Sequence, residues 1–234
     1  MSTPIISGIL LGTVGAAAYF SPHLIRKLEE AKLRKSCREQ RSLVLTYDDG
    51  PGEKLTPRLL ELLDSYQVSA TFFLLGMRVQ KYPRFVNRIA EAGHELGTHG
   101  YYHLNAWKVW PWLALNDIQL GYRTLGDAVS ADSPFRPPYG KLVLPTWWAL
   151  RLRRAPIGWW TVDSGDTNAQ LPQSDEVVKK VKSAGGGVVL LHDFDRQGNQ
   201  AGVRADFVLE TTAALLEAAL VENWKVQSLG RLLR

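Results

Sequence analysis

The sequence predicts an α/β fold made of parallel strand–helix units, and three observations support this prediction. Short apolar runs that suit buried strands alternate, from residue 43 onward, with longer segments whose apolar residues recur at helical spacing. Two of the apolar runs lead directly into polar residues, Asp48 and His192. The chain has 234 residues, of which 45% are hydrophobic and 22% charged, so it is long enough to bury a substantial core. Such alternation indicates a parallel sheet with the working residues at the carboxyl ends of its strands.

Charge and cysteine content exclude several classes of function. The net charge is +5, and much of the basic excess lies between Arg26 and Arg41. This local excess is unlike the basic surface of a nucleic-acid-binding protein, so no nucleic-acid partner is expected. The single cysteine, Cys37, excludes an internal disulfide and a metal site made of thiolates alone.

The N-terminal segment is apolar, and residues 4–20 carry no charge. At about 1.5 Å per residue, a helix of this length nearly crosses a hydrocarbon core of about 30 Å. Three interpretations compete: a membrane anchor, a secretory signal peptide and a buried helix of the domain. The interpretation as a signal peptide has less support, because no Lys or Arg precedes the apolar run. We therefore predict that residues 1–25 form a membrane anchor (or signal) helix.

Residues 26–41 are predicted to be a basic linker between this helix and a catalytic domain at 42–234. Basic residues follow the apolar run and none precedes it, which by the positive-inside rule favours a single-pass membrane protein with a cytoplasmic catalytic domain. Because acidic residues are mixed into the linker, an extracytoplasmic domain stays an alternative, and so does a solvated helix face.

The predicted elements of the catalytic domain follow in order. The apolar runs predict strands at 43–46, 70–75, 94–97, 159–162 and 187–191. Helical spacing predicts helices at 56–66, 83–92, 112–129, 174–183 and 207–222. Gly93 is expected to end the second of these helices, and Ser174 to cap the fourth. The chain shows no internal repeat.

Two adjacent carboxylates, Asp48 and Asp49, close the first predicted strand, and a turn at Gly50-Pro51 follows. Buried carboxylates need partners, since an unpaired charge is costly to remove from water. A solvated Asp-Gly turn is the alternative. The choice depends on whether the rest of the chain supplies a cation site and a second acid–base group.

A candidate cation site comes from His99 and His103. Histidines four residues apart share a face if the segment is helical, and such a pair suits metal coordination. A carboxylate from Asp48 or Asp49 would complete a site of two histidines and one carboxylate. This ligand set favours a borderline divalent ion such as zinc over calcium or magnesium.

A candidate acid–base group is His192, which a buried strand delivers to the same edge of the sheet. A satisfied core histidine is the alternative. Arg136 is stiffened by the two prolines that follow it and is suited to holding a carboxylate. Asp163 and Asp166 follow another predicted strand, where they either orient His192 or Arg136 or serve as turn residues.

Together these segments resemble the polysaccharide deacetylase family, also called the NodB homology domain or carbohydrate esterase family 4. The matching segments are Thr46-Tyr47-Asp48-Asp49-Gly50-Pro51, His99 with His103, Arg136-Pro137-Pro138-Tyr139, Asp163 with Asp166, and Leu190-Leu191-His192. The resemblance covers residues 42–230. It implies a distorted (β/α) barrel with about seven repeats, preceded here by the N-terminal apolar helix.

The resemblance also implies roles for individual residues. Asp49, His99 and His103 would hold a divalent metal, for which Zn²⁺ is favoured and Co²⁺, Mn²⁺ and Ni²⁺ are alternatives. The implied catalytic residues are Asp48 as the base, His192 as the acid, Arg136 and Asp166 as their partners, and Tyr139, whose backbone N–H would hold the oxyanion. Pro138, Tyr139 and Leu190 would contact the substrate.

Two positions depart from the family pattern. Gly100 stands where the family usually has Ser or Thr, which puts a hydrogen bond around the metal in doubt. Thr167 stands where a Trp usually lines the acyl pocket, so the fit around the acyl group is expected to differ. Neither change removes a predicted ligand or acid–base group.

A tryptophan cluster follows the metal-binding segment and includes Trp107, Trp110 and Trp112. Indole rings stack on sugars and also lie at membrane interfaces, although many are simply core. We predict that Trp110 contributes to substrate binding.

The sequence thus predicts a metal-dependent hydrolase that removes an N-acetyl, or other N-acyl, group from an amino sugar. The substrate partner is an N-acetylated glycan or a lipid-linked amino sugar, and the predicted anchor favours the lipid-linked form. The alternatives are a metal-dependent amidohydrolase acting on a non-sugar C–N bond and an inactive carbohydrate-binding relative. An iron oxygenase would leave the base, the arginine and the acid without a role.

Overall fold

A parallel sheet surrounded by helices forms the catalytic part of the chain in the computed structural model, which describes residues 3–198 and 201–234. The strands are β1 (Ser42–Asp48), β2 (Thr71–Leu74), β3 (Glu95–Thr98), β4 (Val162–Asp163), β5 (Gly187–His192) and β6 (Lys225–Val226). The helices are α1 (Thr3–Glu39), α2 (Leu55–Ser65), α3 (Gly76–Lys81), α4 (Pro83–Glu91), α5 (Pro111–Leu125), α6 (Leu144–Leu152), α7 (Ser174–Ala184), α8 (Ala201–Val221) and α9 (Leu229–Leu232). The predicted α/β class is confirmed.

The strand pairings continue around an irregular ring. The sheet order is β3-β2-β1-β5-β4, and β6 pairs with the start of β1. Parallel bridges then join Thr98 at the end of β3 to Phe135, and Phe135 to Ile157. The chain runs from Ile157 into β4, which pairs with β5, so the pairings return to the centre of the sheet. Single bridges replace whole strands on one side, which is the geometry of a distorted barrel.

The register of the two central strands places chemistry at one end of this ring. β1 and β5 are parallel, and Asp48 is directly opposite His192. On its other side, Asp48 is opposite Phe73 of β2. Because parallel strands end at the same edge, the residues that follow β1, β3 and β5 meet there.

Alternation along β1 decides which side chains face the ring interior. All seven β1 residues are buried. Leu43, Leu45 and Tyr47 pack into one apolar cluster with α2 and α8, whereas Val44 packs into a second cluster that includes Trp159. Successive side chains of a strand point to opposite faces, so Asp48 lies on the face of Val44.

The N-terminal helix extends beyond residue 25. α1 continues without interruption from Thr3 to Glu39, with Pro22 inside it, so residues 26–39 of the predicted linker are helical. Leu33 and Cys37 are buried in the second apolar cluster. The C-terminal half of α1 is therefore packed against the catalytic fold.

The predicted membrane span is wrong. Among the described residues, no helix combines the length and the apolar character that a membrane crossing requires. A span needs about 20 predominantly apolar residues, and charged residues recur from Arg26 onward. This finding contradicts the predicted single-pass membrane localisation. The inferred membrane partner and the cytoplasmic side of the domain relied on it and lose their basis.

Other boundaries differ locally. The short elements α3, α6, α9 and β6 were not predicted, because each contains too few periodic residues to give a pattern. α8 begins at Ala201, six residues before the predicted helix start at 207. Ser174 is the first residue of α7 and not its cap, and its hydroxyl contacts Thr211.

Candidate active site

A buried ion pair between Asp48 and Arg136 lies at the centre of the site. Arg136 Nη1 donates to Asp48 Oδ1 at 2.8 Å and to Thr46 Oγ1 at 2.7 Å. Arg136 Nε donates to the carbonyl oxygen of Gly158 at 2.6 Å, and Arg136 is fully buried. Burial raises the pKa of Asp48 above its ordinary value, and the charges of Arg136 and His192 oppose this rise. The guanidinium thus fixes the carboxylate and favours its charged form.

Asp49 points away from this pair because its backbone is in the left-handed region, with a φ of 67°. Its Oδ1 lies 3.5 Å from His99 Nε2 and 3.4 Å from His103 Nε2. His99 Nε2 is 3.7 Å from Asp48 Oδ2, slightly farther than from Asp49. Of the two carboxylates, Asp49 is the one that faces both histidines.

The two histidines meet in a loop and not on a helix. His99 directly follows β3, and the segment up to His103 is irregular. Gly100 has a φ of 83° and His103 a φ of 61°, and these left-handed residues curl the loop so that the imidazole centroids lie 5.0 Å apart. The spacing of four residues therefore brings the rings together through a tight loop.

The surroundings of His99 and Asp49 fit a bound cation. His99 Nδ1 donates to the carbonyl oxygen of Arg136 at 2.7 Å, which leaves a lone pair on Nε2. Burial lowers the pKa of His99 to about 3, with Asp49 opposing, so the ring is neutral. Within the described chain, Asp49 Oδ1 is buried without a hydrogen-bond donor. A lone pair facing a carboxylate oxygen is repulsive unless a positive ion lies between them.

The candidate ligand atoms of Asp49, His99 and His103 all lie within 4.8 Å of one another. Two imidazole nitrogens and one carboxylate oxygen are the ligand set of borderline divalent ions. The carbonyl of Arg136 fixes the orientation of His99, as hydrogen-bonded partners of metal ligands commonly do. These three residues are therefore able to hold a metal.

Asp117 of α5, which was not among the predicted site residues, holds the loop of residues 99–104, called here the histidine loop. Tyr102 N donates to Asp117 Oδ1 at 2.7 Å, and the backbone N–H groups of Tyr101 and Leu104 also bond to this carboxyl group. A Cβ on Gly100 would lie 2.3 Å from Asp117 Oδ2. Glycine at 100 therefore leaves room for the carboxylate. The signal in the sequence was a single acid on the apolar face of α5.

His192 is held by Asp166 on the opposite side of the site. His192 Nδ1 donates to Asp166 Oδ1 at 2.9 Å, and His192 N donates to Asp166 Oδ2 at 2.9 Å. Burial lowers the pKa of His192, but the charge and hydrogen bond of Asp166, helped by Asp48 and Asp49, raise it to about 9. The imidazole is thus protonated at neutral pH, and Nε2 is the ring nitrogen available to a substrate.

The structure separates the two aspartates that follow β4. Asp166 contacts His192, whereas Asp163 Oδ1 accepts a hydrogen bond from Gly165 N within the turn. Neither contacts Arg136 through a hydrogen bond in the described chain. The turn residue and the partner of His192 were both anticipated at these positions, and contacts across the sheet decide which is which.

A cleft of about 400 Å³ is lined by Asp48, Asp49, His99, His103 and His192. Of the residues predicted to contact substrate, Tyr139 and Leu190 line the cleft, whereas Pro138 does not and the preceding Pro137 does. Tyr139 has a φ of 57°, and its ring lies 4.5 Å from that of His103. Thr167, at the position where the family usually has Trp, also lines the cleft.

Trp110 lies outside this cleft. It is 65% exposed and stacks on Trp112, with ring centroids 4.9 Å apart. Its predicted role in substrate binding stays a prediction.

Three further residues line the cleft. Trp160 is one of the tryptophans that the sequence offers for stacking on sugar rings, whereas no motif marks Phe194 and Arg196. Arg26 of α1 supports the cleft from behind, since Nη1 donates to the carbonyl oxygen of Gly140 at 3.1 Å and the guanidinium lies 4.5 Å from the ring centroid of Trp160. Such contacts between distant segments leave no local pattern.

Comparison with known proteins adds three findings. Residues 35–155 match the family model described as polysaccharide deacetylase. The chain is 35% identical over 167 residues to a peptidoglycan-N-acetylglucosamine deacetylase of Bacillus cereus, covering 69% of this chain and 76% of that protein. It covers 55% of a second Bacillus cereus protein of the same name.

Among solved structures, the fold is similar to a peptidoglycan N-acetylglucosamine deacetylase in complex with an N-oxidanyl-benzamide compound, with a TM-score of 0.72 and 28% identity. That match covers 83% of this chain and 89% of the other. A pseudoenzyme of carbohydrate esterase family 4 from Bacillus anthracis gives a TM-score of 0.71 at 25% identity, covering 84% of this chain and 66% of the other.

Proposed function

Since the chain belongs to the polysaccharide deacetylase family and is a hydrolase acting on carbon–nitrogen bonds other than peptide bonds, we propose that it removes an N-acetyl, or another N-acyl, group from an amino sugar of a glycan. The reaction consumes one water and leaves a carboxylate, such as acetate, and a free amine on the sugar.

One observation carries this proposal. A carboxylate paired with an arginine and an imidazolium paired with a carboxylate face the same cleft as the three candidate metal ligands. Asp48 is held by Arg136, and His192 by Asp166, at distances of 2.8 and 2.9 Å. Amide hydrolysis needs a base for the attacking water and an acid for the leaving amine. The two pairs supply both.

Asp49, His99 and His103 would hold the metal, for which we propose Zn²⁺, with Co²⁺, Mn²⁺ and Ni²⁺ as alternatives. When bound, such a cation supplies positive charge that polarises an acyl carbonyl and favours the ionisation of water.

The residues of the chain then have distinct tasks. Asp48, kept charged by Arg136, takes a proton from water. The backbone N–H of Tyr139 would donate to the oxyanion formed on the acyl carbonyl oxygen. His192, protonated through its contact with Asp166, gives a proton to the departing nitrogen. Leu190 and Tyr139 form part of the wall around the acyl sugar.

The names of the relatives support a glycan of the peptidoglycan type as substrate. Two Bacillus cereus relatives and one solved structure are named peptidoglycan N-acetylglucosamine deacetylases. The preference for a lipid-linked sugar rested on the membrane anchor, which the structure does not support.

The alternatives have less support. An inactive carbohydrate-binding relative is disfavoured because this chain keeps the candidate base, the candidate acid and all three candidate metal ligands in one cleft. No feature of the cleft favours a non-sugar amide over an amino sugar.

Acetate and amine release from peptidoglycan and from oligomers of N-acetylglucosamine tests the proposal. We expect release by the wild-type protein, loss of release after chelation, recovery with Zn²⁺, and a loss of about 10²–10⁴-fold in Asp48→Asn. Wild-type protein with zinc bound that releases acetate from no member of the panel would overturn the proposed deacetylase activity.

A further inference from the structure

A second cavity adjoins the catalytic cleft on the side of His192. It has a volume of about 700 Å³, and three arginines line it: Arg78, Arg196 and Arg204. Phe194 and Arg196 belong to the walls of both the cavity and the cleft. The ring of Phe194 meets that of His192 edge-on, with centroids 6.2 Å apart. The cleft and the arginine-lined cavity therefore share a wall at Phe194 and Arg196.

Phe194 organises two of these arginines. The Cζ atom of Arg78 lies 5.0 Å from the centroid of the Phe194 ring, and that of Arg196 lies 4.6 Å from it. Stacking on an aromatic ring holds the planar guanidinium in place while leaving its N–H donors available. Arg204 is positioned by the backbone, since its guanidinium donates to the carbonyl oxygens of Asp166 and Asn168.

Neighbouring acids act on the stacked pair only over distances longer than an ion pair: Asp49 and Asp166 on Arg196, and Asp193 on Arg78. Asp195 also lines the cavity, but its carboxylate accepts hydrogen bonds from Lys54 N and Leu55 N at the start of α2, both at 3.0 Å. Across the described ranges 3–198 and 201–234, neither Arg78 nor Arg196 forms an ion pair with a carboxylate. In the same ranges, Arg196 Nη2 is buried without an acceptor. Buried donors normally have partners, so this one indicates a missing acceptor.

We propose that this cavity binds an anionic group, a carboxylate or a phosphate, carried by the glycan next to the sugar that is deacetylated. The inference rests on the proposed function and adds the substrate class: an acidic N-acyl glycan is preferred over a neutral one. Guanidinium groups bind planar carboxylates and phosphates through paired N–H donors.

Binding of matched sugars to the Asp48→Asn variant tests the proposal without turnover. The carboxylate arm compares the disaccharide of N-acetylglucosamine and N-acetylmuramic acid with the neutral dimer of N-acetylglucosamine. The phosphate arm compares N-acetylglucosamine 1-phosphate with the neutral methyl glycoside. We expect at least one anionic sugar to bind about tenfold more tightly than its neutral partner. The arm that shows the preference identifies the anion.

Adding Arg78→Gln to this protein should remove the preference and leave the affinity for the neutral sugar unchanged, because Arg78 lines the cavity and not the cleft. Arg196→Gln should remove the preference as well. Arg88→Gln is the matched control, because Arg88 also stacks on a phenyl ring, that of Phe85 at 5.6 Å, but lies outside the cavity. Thermal unfolding shows whether each variant is folded. If Arg196→Gln does not fold, Arg196→Lys takes its place, because it keeps the positive charge but removes the paired N–H donors.

The measured affinities test the anion site separately from the proposed deacetylase activity. Equal affinity for anionic and neutral sugars in both arms, or a preference that survives the loss of Arg78 and Arg196, would overturn the anion site. Failure of the proposed deacetylase activity would appear instead as absence of acetate release by the wild-type protein, whatever the affinities.

Discussion

At the scale of single residues, two adjacent carboxylates have unlike surroundings. Asp48 lies in β1 and is buried against Arg136, whereas Asp49 leaves the strand with a φ of 67° and turns toward the histidines. The strand ends between the two residues, and this change in backbone direction separates a candidate base from a candidate metal ligand.

Neutralising Asp166 should change the pH dependence of activity. The charge of Asp166 raises the pKa of His192 to about 9, so in Asp166→Asn the imidazole should lose its proton at lower pH. Because a general acid must be protonated, the alkaline limb of kcat/KM for acetate release should move to lower pH, and kcat should fall about tenfold or more. The pH profile of acetate release measures both.

Asp163→Asn is the control for this experiment, because it removes a carboxylate from the same turn that does not contact His192. Its alkaline limb should stay in place. If the limb of Asp166→Asn also stays in place, Asp166 does not set the protonation of His192.

A methyl group at position 100 should weaken the metal site. In Gly100→Ala the new Cβ would lie 2.3 Å from Asp117 Oδ2 and displace the carboxylate that holds the histidine loop. Losing such support typically lowers metal affinity by about 10–100-fold. Zinc affinity, measured by competition with a chelator, tests this expectation.

Gly93→Ala is a matched control, since Gly93 has a similar φ of 78° but no atom within 4 Å of an added Cβ. Gly93→Ala places alanine at a positive φ without a steric clash, and its zinc affinity should match that of the wild type. Wild-type affinity in Gly100→Ala would mean that the loop does not depend on Asp117.

At the scale of elements, α1 does more than precede the domain. Arg26 bonds to the carbonyl oxygen of Gly140, stacks on Trp160 at 4.5 Å and pairs with Glu30 at 2.6 Å. Trp159 Nε1 donates to Glu29 Oε2 of the same helix. One face of α1 therefore supports the turn that contains Tyr139 and a wall of the cleft.

Substitution of Arg26 should lower activity without unfolding the protein. In Arg26→Met the Tyr139 turn loses its hydrogen bond and Trp160 its stacked cation, so kcat/KM should fall severalfold to about tenfold. Tryptophan fluorescence should change as well, since the environment of Trp160 changes. Lys27→Met, which removes an exposed charge from the next position, should preserve both properties. Equal effects of the two substitutions would refute a supporting role for Arg26.

At the scale of the whole molecule, α1 divides into an outer and a packed part. Its described side chains before Ser21, at residues 14–17, are exposed, whereas Leu33 is 5% and Cys37 0% exposed. Among the described side chains of α1, Leu33 and Cys37 thus join the core from the second half of the helix, in the cluster that contains Val44 and Trp159.

Two truncations should therefore behave differently. A protein that begins at Ser21 should keep its thermal midpoint within about 2 °C, because no described buried side chain is lost. A protein that begins at Gln40 loses Leu33 and Cys37 from the core, at about 1.5–3 kcal/mol for a Leu-sized side chain. Its midpoint should fall by about 10 °C or more. Thermal unfolding followed by circular dichroism compares them, and equal midpoints would contradict this division of α1.

The sequence by itself determined the α/β class and the edge at which the candidate chemistry lies. Both follow from local patterns: apolar runs form β1 and β5, and Asp48 and His192 end them. A strand that ends in a polar residue shows this in consecutive letters, whatever the rest of the chain does. The same local reading predicted a membrane span, but no helix among the described residues combines the length and the apolar character that a crossing requires.

Residue patterns alone left open which carboxylate faces the histidines, which aspartate holds His192, and why position 100 is glycine. The family resemblance implied Asp49 and Asp166 for the first two, and the tertiary structure decided all three. Each depends on a contact between distant segments, such as Asp117 with the histidine loop or Arg26 with Gly140. The direction of the Asp49 carboxylate also depends on one backbone angle, the φ of Asp49. Side-chain direction reverses with a single residue of backbone, and partners far apart in sequence leave no periodic signal. Folding must bring these groups together before their roles can be distinguished.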